Sequence, residues 1–280
     1  MSCCCCLFDF FEPEDPVLAI SSLFVSQSVL ACYKFLLSIY FVFWCFFWPI
    51  EENIDDGFKF VTYWTFYVGA FYFLASCITA YKFAGRLTSP TASDGPVRGT
   101  VGMRDGDQPL SSSARSLIAF QIFMWNVACV GSLVVVVVFW GVLYDGGPVS
   151  TTDVNAHVMI AVIMIIDNLL MATKWERRQM WASVLYSVAY IAFNVAYFYL
   201  ESDKEERVIY NILDWGEDAS KAALVAGGII VILVPIFGLL HYGVFSLREC
   251  LYESCTKRRH SPQTDIERGR VGKVAAVNHR

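Results

Sequence analysis

Charge is what this chain has least of: only 17% of its 280 residues are Asp, Glu, Lys or Arg, against about 25% in ordinary soluble domains. With 56% hydrophobic and 16% aromatic residues and a mean hydropathy of +0.49, it has too little polar surface to meet water on all sides. That shortage excludes a single soluble domain, a nucleic-acid-binding protein and a disulfide-stapled secreted scaffold. Four adjacent cysteines, Cys3 to Cys6, cannot easily face one metal, and no paired Cys-x-x-Cys or Cys/His spacing follows them, so neither a zinc site nor any other metal site is expected, and no cofactor either. No Asn-x-Ser/Thr acceptor occurs, so glycosylation cannot mark one side of a membrane. A basic region before the first apolar run is also missing. Asp9, Glu12, Glu14 and Asp15 stand there instead, and the run continues to full spanning length, so the expectation is a retained span rather than a cleaved signal.

What the chain does have is long apolar runs. Six of them, at about 28–48, 59–82, 116–143, 155–173, 179–200 and 222–246, reach the roughly 20 residues that cross a hydrocarbon core. The expectation is an all-α integral membrane bundle of six transmembrane helices, in the plasma membrane or an endomembrane. Of the 21 Lys and Arg, sixteen fall in the connection between spans 2 and 3, the turn between spans 4 and 5, and the tail. Four fall on the opposite side, and Lys34 lies within the first run. The positive-inside rule then puts both termini in the cytoplasm. Three regions follow. Residues 1–27 are a cytosolic Cys-containing segment, 28–248 the transmembrane domain with a flexible cytosolic loop at 83–115, and 249–280 a basic, disordered cytosolic tail. Aromatic clusters at span ends, such as Trp44 to Trp48 and Trp175 with Trp181, fit interfacial belts.

The cysteines sit where membranes are met. Cys3, Cys4, Cys5 and Cys6 form one block, and Cys250 and Cys255 follow the last span beside Lys257, Arg258 and Arg259. Cytosolic thiols at a basic membrane surface suit reversible S-acylation, such as palmitoylation; the alternative is plain reduced thiols.

Ionisable groups inside a bilayer are costly and mark function by default. Lys34, His157, Asp167 and His241 qualify. Lys34 lies near the cytosolic end of its span and is expected to snorkel, and His241 is expected at the interface. Asp167 follows His157 by ten residues, about 15 Å along a helix, so the two are not a hydrogen-bonded pair. It then needs a polar interior or a proton. Thr62 lies near the outer end of the second span at a depth similar to His157. A hydroxyl beside an imidazole is the minimal nucleophile and base for acyl transfer. The same residues also suit a threonine bonded to its own helix and a packing histidine.

The run Phe58-Lys59-Phe60-Val61-Thr62-Tyr63-Trp64, with Asn155-Ala156-His157 and Asp167 ten positions on, resembles the androgen-induced family of multi-span hydrolases. These cleave fatty acid esters of hydroxy fatty acids. The resemblance implies that Thr62 and His157 are the catalytic pair. It differs in having Phe58 where Trp is usual and in its longer 83–115 loop. The run Val208-Ile209-Tyr210-Asn211-Ile212-Leu213-Asp214-Trp215 and the span after it resemble the rolling-stone proteins linked to myoblast fusion.

Three functions remain open on these residues. The first is a hydrolase of lipid esters in which Thr62 attacks the carbonyl, His157 moves the proton, and Lys59 and Asp167 are candidate substrate-binding residues. Its partners would be membrane lipids and the ester substrate. The second is a non-catalytic rolling-stone-like protein in membrane organisation or cell fusion, with Thr62 and His157 as an interhelical hydrogen bond. The third is a proton-coupled carrier using Asp167. A b-type haem is disfavoured, since His157 and His241 stand about 20 Å or more apart in depth.

Overall fold

The computed structural model describes residues 11, 13, 16–52, 58–83, 110–203 and 206–260. Cys3, Cys4, Cys5, Cys6, most of the 83–115 loop and the tail beyond 260 lie outside the described residues, as does the side chain of Cys255. Among the described residues, six helices are long and apolar enough to cross a membrane: α1 Gln27–Trp48, α2 Val61–Phe83, α3 Ser112–Leu143, α4 Thr151–Leu170, α5 Arg177–Leu200 and α6 Ala219–Ser254. The described regular structure is all helical apart from one antiparallel bridge, Ser22 to Met171. This is the make-up of an integral membrane protein.

Helix starts follow from capping. Ser111 accepts from the Ala114 N–H to open α3, and Asp218 accepts from the Lys221 N–H to open α6. At α4 the Ser150 hydroxyl accepts from Asp153 N while the Asp153 carboxylate accepts from Ser150 N at 2.9 Å, a reciprocal capping box. That box starts α4 four residues earlier than apolarity alone indicates. Asp153, which precedes the expected span of 155–173, is therefore in the first turn, and His157 lies about 9 Å into the helix.

Helical periodicity decides which residues enter the bundle. Leu30, Lys34, Ser38, Phe41 and Trp48 lie on one stripe of α1 and are buried, whereas Phe35, Leu36, Ile39, Phe43 and Phe46 are exposed on its other faces. In a membrane those faces meet lipid. The buried stripe packs on α2 through Phe41, stacked on Phe73 at 4.9 Å, and Trp48, edge-on to Phe66 at 4.5 Å. Gly69 makes this approach possible. A Cβ there would sit 2.7 Å from Phe41 Cε1 and 3.2 Å from Cδ1, and Phe41 is fully buried with no room to move. Gly69→Ala is expected to destabilise the protein by about 1–3 kcal/mol, checked by thermal unfolding in detergent. Unchanged stability would show that Phe41 repacks freely.

Two expectations for charged and polar groups are corrected by the bundle. Lys34 does not snorkel: it is fully buried, and its ammonium bonds the Asp167 carboxylate and the Tyr72 hydroxyl, the latter at 2.7 Å. Neighbouring α1, α2 and α4 bring these groups together. His241 is not interfacial but 3% exposed, its ring edge-on to Trp125 at 4.5 Å, because α6 continues well past it.

Arg248, counted with the basic tail in the sequence, is also fully buried. Its guanidinium donates to the carbonyls of Asn168 at 3.2 Å, Met171, and Thr173 at 2.8 Å, and to Glu249 Oε1 at 2.9 Å. Those carbonyls belong to the end of α4 and the residues after it, where no helical N–H is available and a cation is favoured. Arg248→Met leaves them unpaired and is expected to cost about 3 kcal/mol. The check is unfolding of the solubilised variant, and an unchanged midpoint would contradict this role.

Candidate functional site

A cavity of about 400 Å³ opens where the start of α2, the end of α3, the start of α4 and residues 209–213 meet α5 and α6. Its wall is mostly apolar, with Val134, Val138 and Ile191 among the lining residues. Thr62 and His157, from α2 and α4, both line it. Three π-helical turns, Phe139–Leu143, Asn155–Met159 and Ile229–Leu233, each contribute at least one lining residue. Such turns widen a helix locally and recur at functional sites.

Thr62 is the second residue of α2, so the carbonyl four residues earlier is not helical. Thr65, one turn deeper, does bond its own helix, at Val61 O and 2.9 Å. Thr62 has no such bond: among the described residues its hydroxyl and its backbone N–H have no hydrogen-bond partner, and it is 9% exposed, on the cavity. The position of Thr62 in the first turn thus leaves its side chain available for chemistry.

His157 sits on the π-turn of α4. Its ring lies flat on Phe139, with centroids 3.5 Å apart and planes 8° apart, which fixes the imidazole plane. Its Nδ1 is buried with no hydrogen-bond partner. No hydrogen bond joins Thr62 to His157 among the described residues. Catalytic hydrogen bonds often tighten only around substrate. Asp153, one turn earlier on α4, lines the same cavity, with its carboxylate held by Ser150 N at 2.9 Å and Ser150 Oγ at 2.7 Å.

Three tyrosines of the cavity wall fix the start of α2. Tyr210 accepts from Val61 N at 3.1 Å, Tyr190 donates to Lys59 O at 2.9 Å, and the Tyr186 hydroxyl bonds Thr65 Oγ1 at 2.8 Å. The loop carrying Tyr210 is itself pinned. Trp215 Nε1 donates to the buried Asn194 Oδ1 at 2.7 Å, and Asp214 Oδ1 accepts from Gly216 N at 2.8 Å and Glu217 N at 3.1 Å. Those two N–H donors hold the Asp214 carboxyl below the usual carboxylate range.

Of the four residues singled out for catalysis and substrate binding, Thr62 and His157 line the same cavity. Lys59 does not line the cavity; its carbonyl serves Tyr190 and its ammonium lies 5.8 Å from the Phe60 ring centroid. Asp167 lies apart from the cavity, in the Lys34 cluster. Cys250 is a free, exposed thiol near the end of α6. Among the described residues, no group of three or more His, Cys, Asp and Glu is arranged to hold a metal. Sequence reasoning missed Tyr186, Tyr190, Tyr210 and Asp153. Asp153 carried a signal in its four-residue spacing from His157, and Tyr210 lies within the run Val208 to Trp215 already noted.

The chain matches no protein-family model, no curated protein and no solved structure.

Proposed function

We propose that this protein is a membrane-embedded hydrolase of lipid esters, such as fatty acid esters of hydroxy fatty acids, with Thr62 as nucleophile and His157 as general base and acid. The observation that carries the reading is the unpartnered Thr62 hydroxyl, on the same largely apolar cavity as a ring-stacked histidine. An interhelical Thr62 to His157 bond, the anchor of the rolling-stone-like reading, does not occur among the described residues. Apolar walls suit acyl chains, and a hydroxyl and an imidazole suit the ester carbonyl. The reading includes cytoplasmic termini, from the excess of basic residues on that side. That orientation puts the cavity in the outer half of the bilayer of the plasma membrane or an endomembrane. It also places Cys250, with Cys3 to Cys6 and Cys255, where S-acylation takes place.

The test is release of fatty acid from such esters by purified protein in detergent, comparing wild type with Thr62→Ala and His157→Ala. Thr62→Ala is expected to be inactive and His157→Ala to be severely slowed, both while eluting as folded monodisperse protein. Full activity of folded Thr62→Ala would overturn the assignment.

A further inference from the structure

An ester carbonyl attacked by Thr62 becomes an oxyanion, and something must hold that charge. We propose that the Tyr210 hydroxyl and the backbone N–H of Thr62 form the oxyanion hole of this site, an inference that rests on the Thr62 and His157 reading.

The hydroxyls of the cavity wall single out Tyr210. The Tyr186 hydroxyl lies 2.8 Å from Thr65 Oγ1 and 3.4 Å from Val61 O, so its proton has an acceptor on the first turn of α2 whichever way the pair with Thr65 is oriented. Tyr190 gives its proton to Lys59 O at 2.9 Å. Tyr210 is different. Its oxygen is held as an acceptor by Val61 N at 3.1 Å, which sets the hydroxyl one residue from the nucleophile, and Tyr210 lines the cavity beside Tyr190 with no hydrogen bond among the described residues in which it is the donor. An oxyanion is a far stronger acceptor than a neutral phenol, because charge-assisted hydrogen bonds are about twice as strong as neutral ones. The proton therefore turns to the oxyanion when it forms. The Thr62 N–H is a first-turn donor that no helical carbonyl reaches. A nucleophile's own amide also serves this purpose in serine hydrolases.

The step balances without a co-reactant other than water. Thr62 Oγ bonds the carbonyl carbon, its proton passes to His157, and the carbonyl π pair moves onto oxygen, where Tyr210 O–H and Thr62 N–H hold it. The oxyanion then re-forms the carbonyl, the ester C–O bond breaks, and the leaving alkoxide takes the proton from His157. Water attacks the acyl-threonine while His157 takes its proton, and a second oxyanion forms in the same hole; as it collapses, the bond from the acyl carbon to Thr62 Oγ breaks, His157 returns the proton to Thr62, and the acid leaves.

The test measures kcat and KM for ester hydrolysis by full-length wild type, Tyr210→Phe, Tyr199→Phe and Thr62→Ala, with the affinity of a trifluoromethyl ketone that mimics the oxyanion. Tyr210→Phe is expected to lower kcat roughly 10²–10³-fold with KM nearly unchanged, and to lose ketone affinity in step with kcat/KM. Tyr199→Phe, at an exposed tyrosine of α5 that does not line the cavity, is expected to stay within a few-fold of wild type. A Tyr210→Phe enzyme with wild-type kcat, or one whose kcat falls while ketone affinity stays, overturns the oxyanion role even though Thr62→Ala is dead. An active Thr62→Ala overturns the hydrolase reading itself. Should Tyr210→Phe not fold, a fluorinated, more acidic tyrosine at 210 keeps the ring and the bond from Val61. Its rate is expected to fall with rising pH where wild type does not, and a profile identical to wild type overturns the proposal.

Discussion

Asp167→Leu is expected to destabilise the protein by about 3–5 kcal/mol, and Lys34→Met by a similar amount, because each leaves a buried partner charge uncompensated. The cluster is a closed triangle. The Lys34 ammonium donates to Asp167 Oδ1 and to the Tyr72 hydroxyl, and Tyr72 donates to Asp167 Oδ2. None of the three side chains reaches the surface, and they tie α1, α2 and α4 together. Removing the two charges at once is a different experiment. Replacing a whole buried pair by apolar residues is often neutral or stabilising by about 1–4 kcal/mol, so Lys34→Met with Asp167→Leu is expected to recover most of either loss. Unfolding of the four proteins in detergent gives the cycle directly. Near-additive losses would show that the pair is not an energetic unit. A folded double variant that still hydrolyses ester also separates this cluster from a proton pathway, since a carrier built on Asp167 loses its transport with that residue.

The largest effects on activity are expected at Thr62 and His157. Thr62→Ala removes the nucleophile and is expected to bring hydrolysis to background, while His157→Ala removes the proton acceptor and is expected to cost roughly 10²–10⁴-fold in kcat. Neither change touches a structural hydrogen bond: Thr62 has no partner to lose, and His157 loses only its stack on Phe139. Folding should therefore survive where rate does not. Paired assays of ester hydrolysis and of the unfolding midpoint separate the two effects, and a parallel collapse of both would show that the residues hold the fold instead.

Much of the architecture could be read without coordinates. An apolar run of about 20 residues has one stable fate in a bilayer, and all six spans lie near their expected places. The start of α4 was misplaced because Ser150 to Asp153 are polar, and only their reciprocal bonds make them helical. Pairings across the bundle were harder to see. Lys34 and Asp167 are 133 residues apart, and nothing local in either stretch says that α1 packs against α4 at that depth. Lys34 alone looked like a side chain long enough to reach the interface, and His241 like one near a helix end that in fact continues to His260. The carbonyls held by Arg248 became visible only with the end of α4 in place. At the site, Thr62 and His157 could be found because their residue types carry chemistry. Tyr186, Tyr190 and Tyr210 could not, because a tyrosine near a membrane interface is ordinary until its hydroxyl is seen against Val61 or Lys59.

The most direct measurement is covalent labelling of purified wild-type protein with a fluorophosphonate, the modified residue being located by mass spectrometry. An activated nucleophile predicts one adduct, on Thr62, formed at a rate that collapses in His157→Ala and absent from Thr62→Ala. Folded wild-type protein that stays unlabelled while a serine hydrolase reacts in the same detergent, or an adduct elsewhere that is indifferent to His157, would contradict the account.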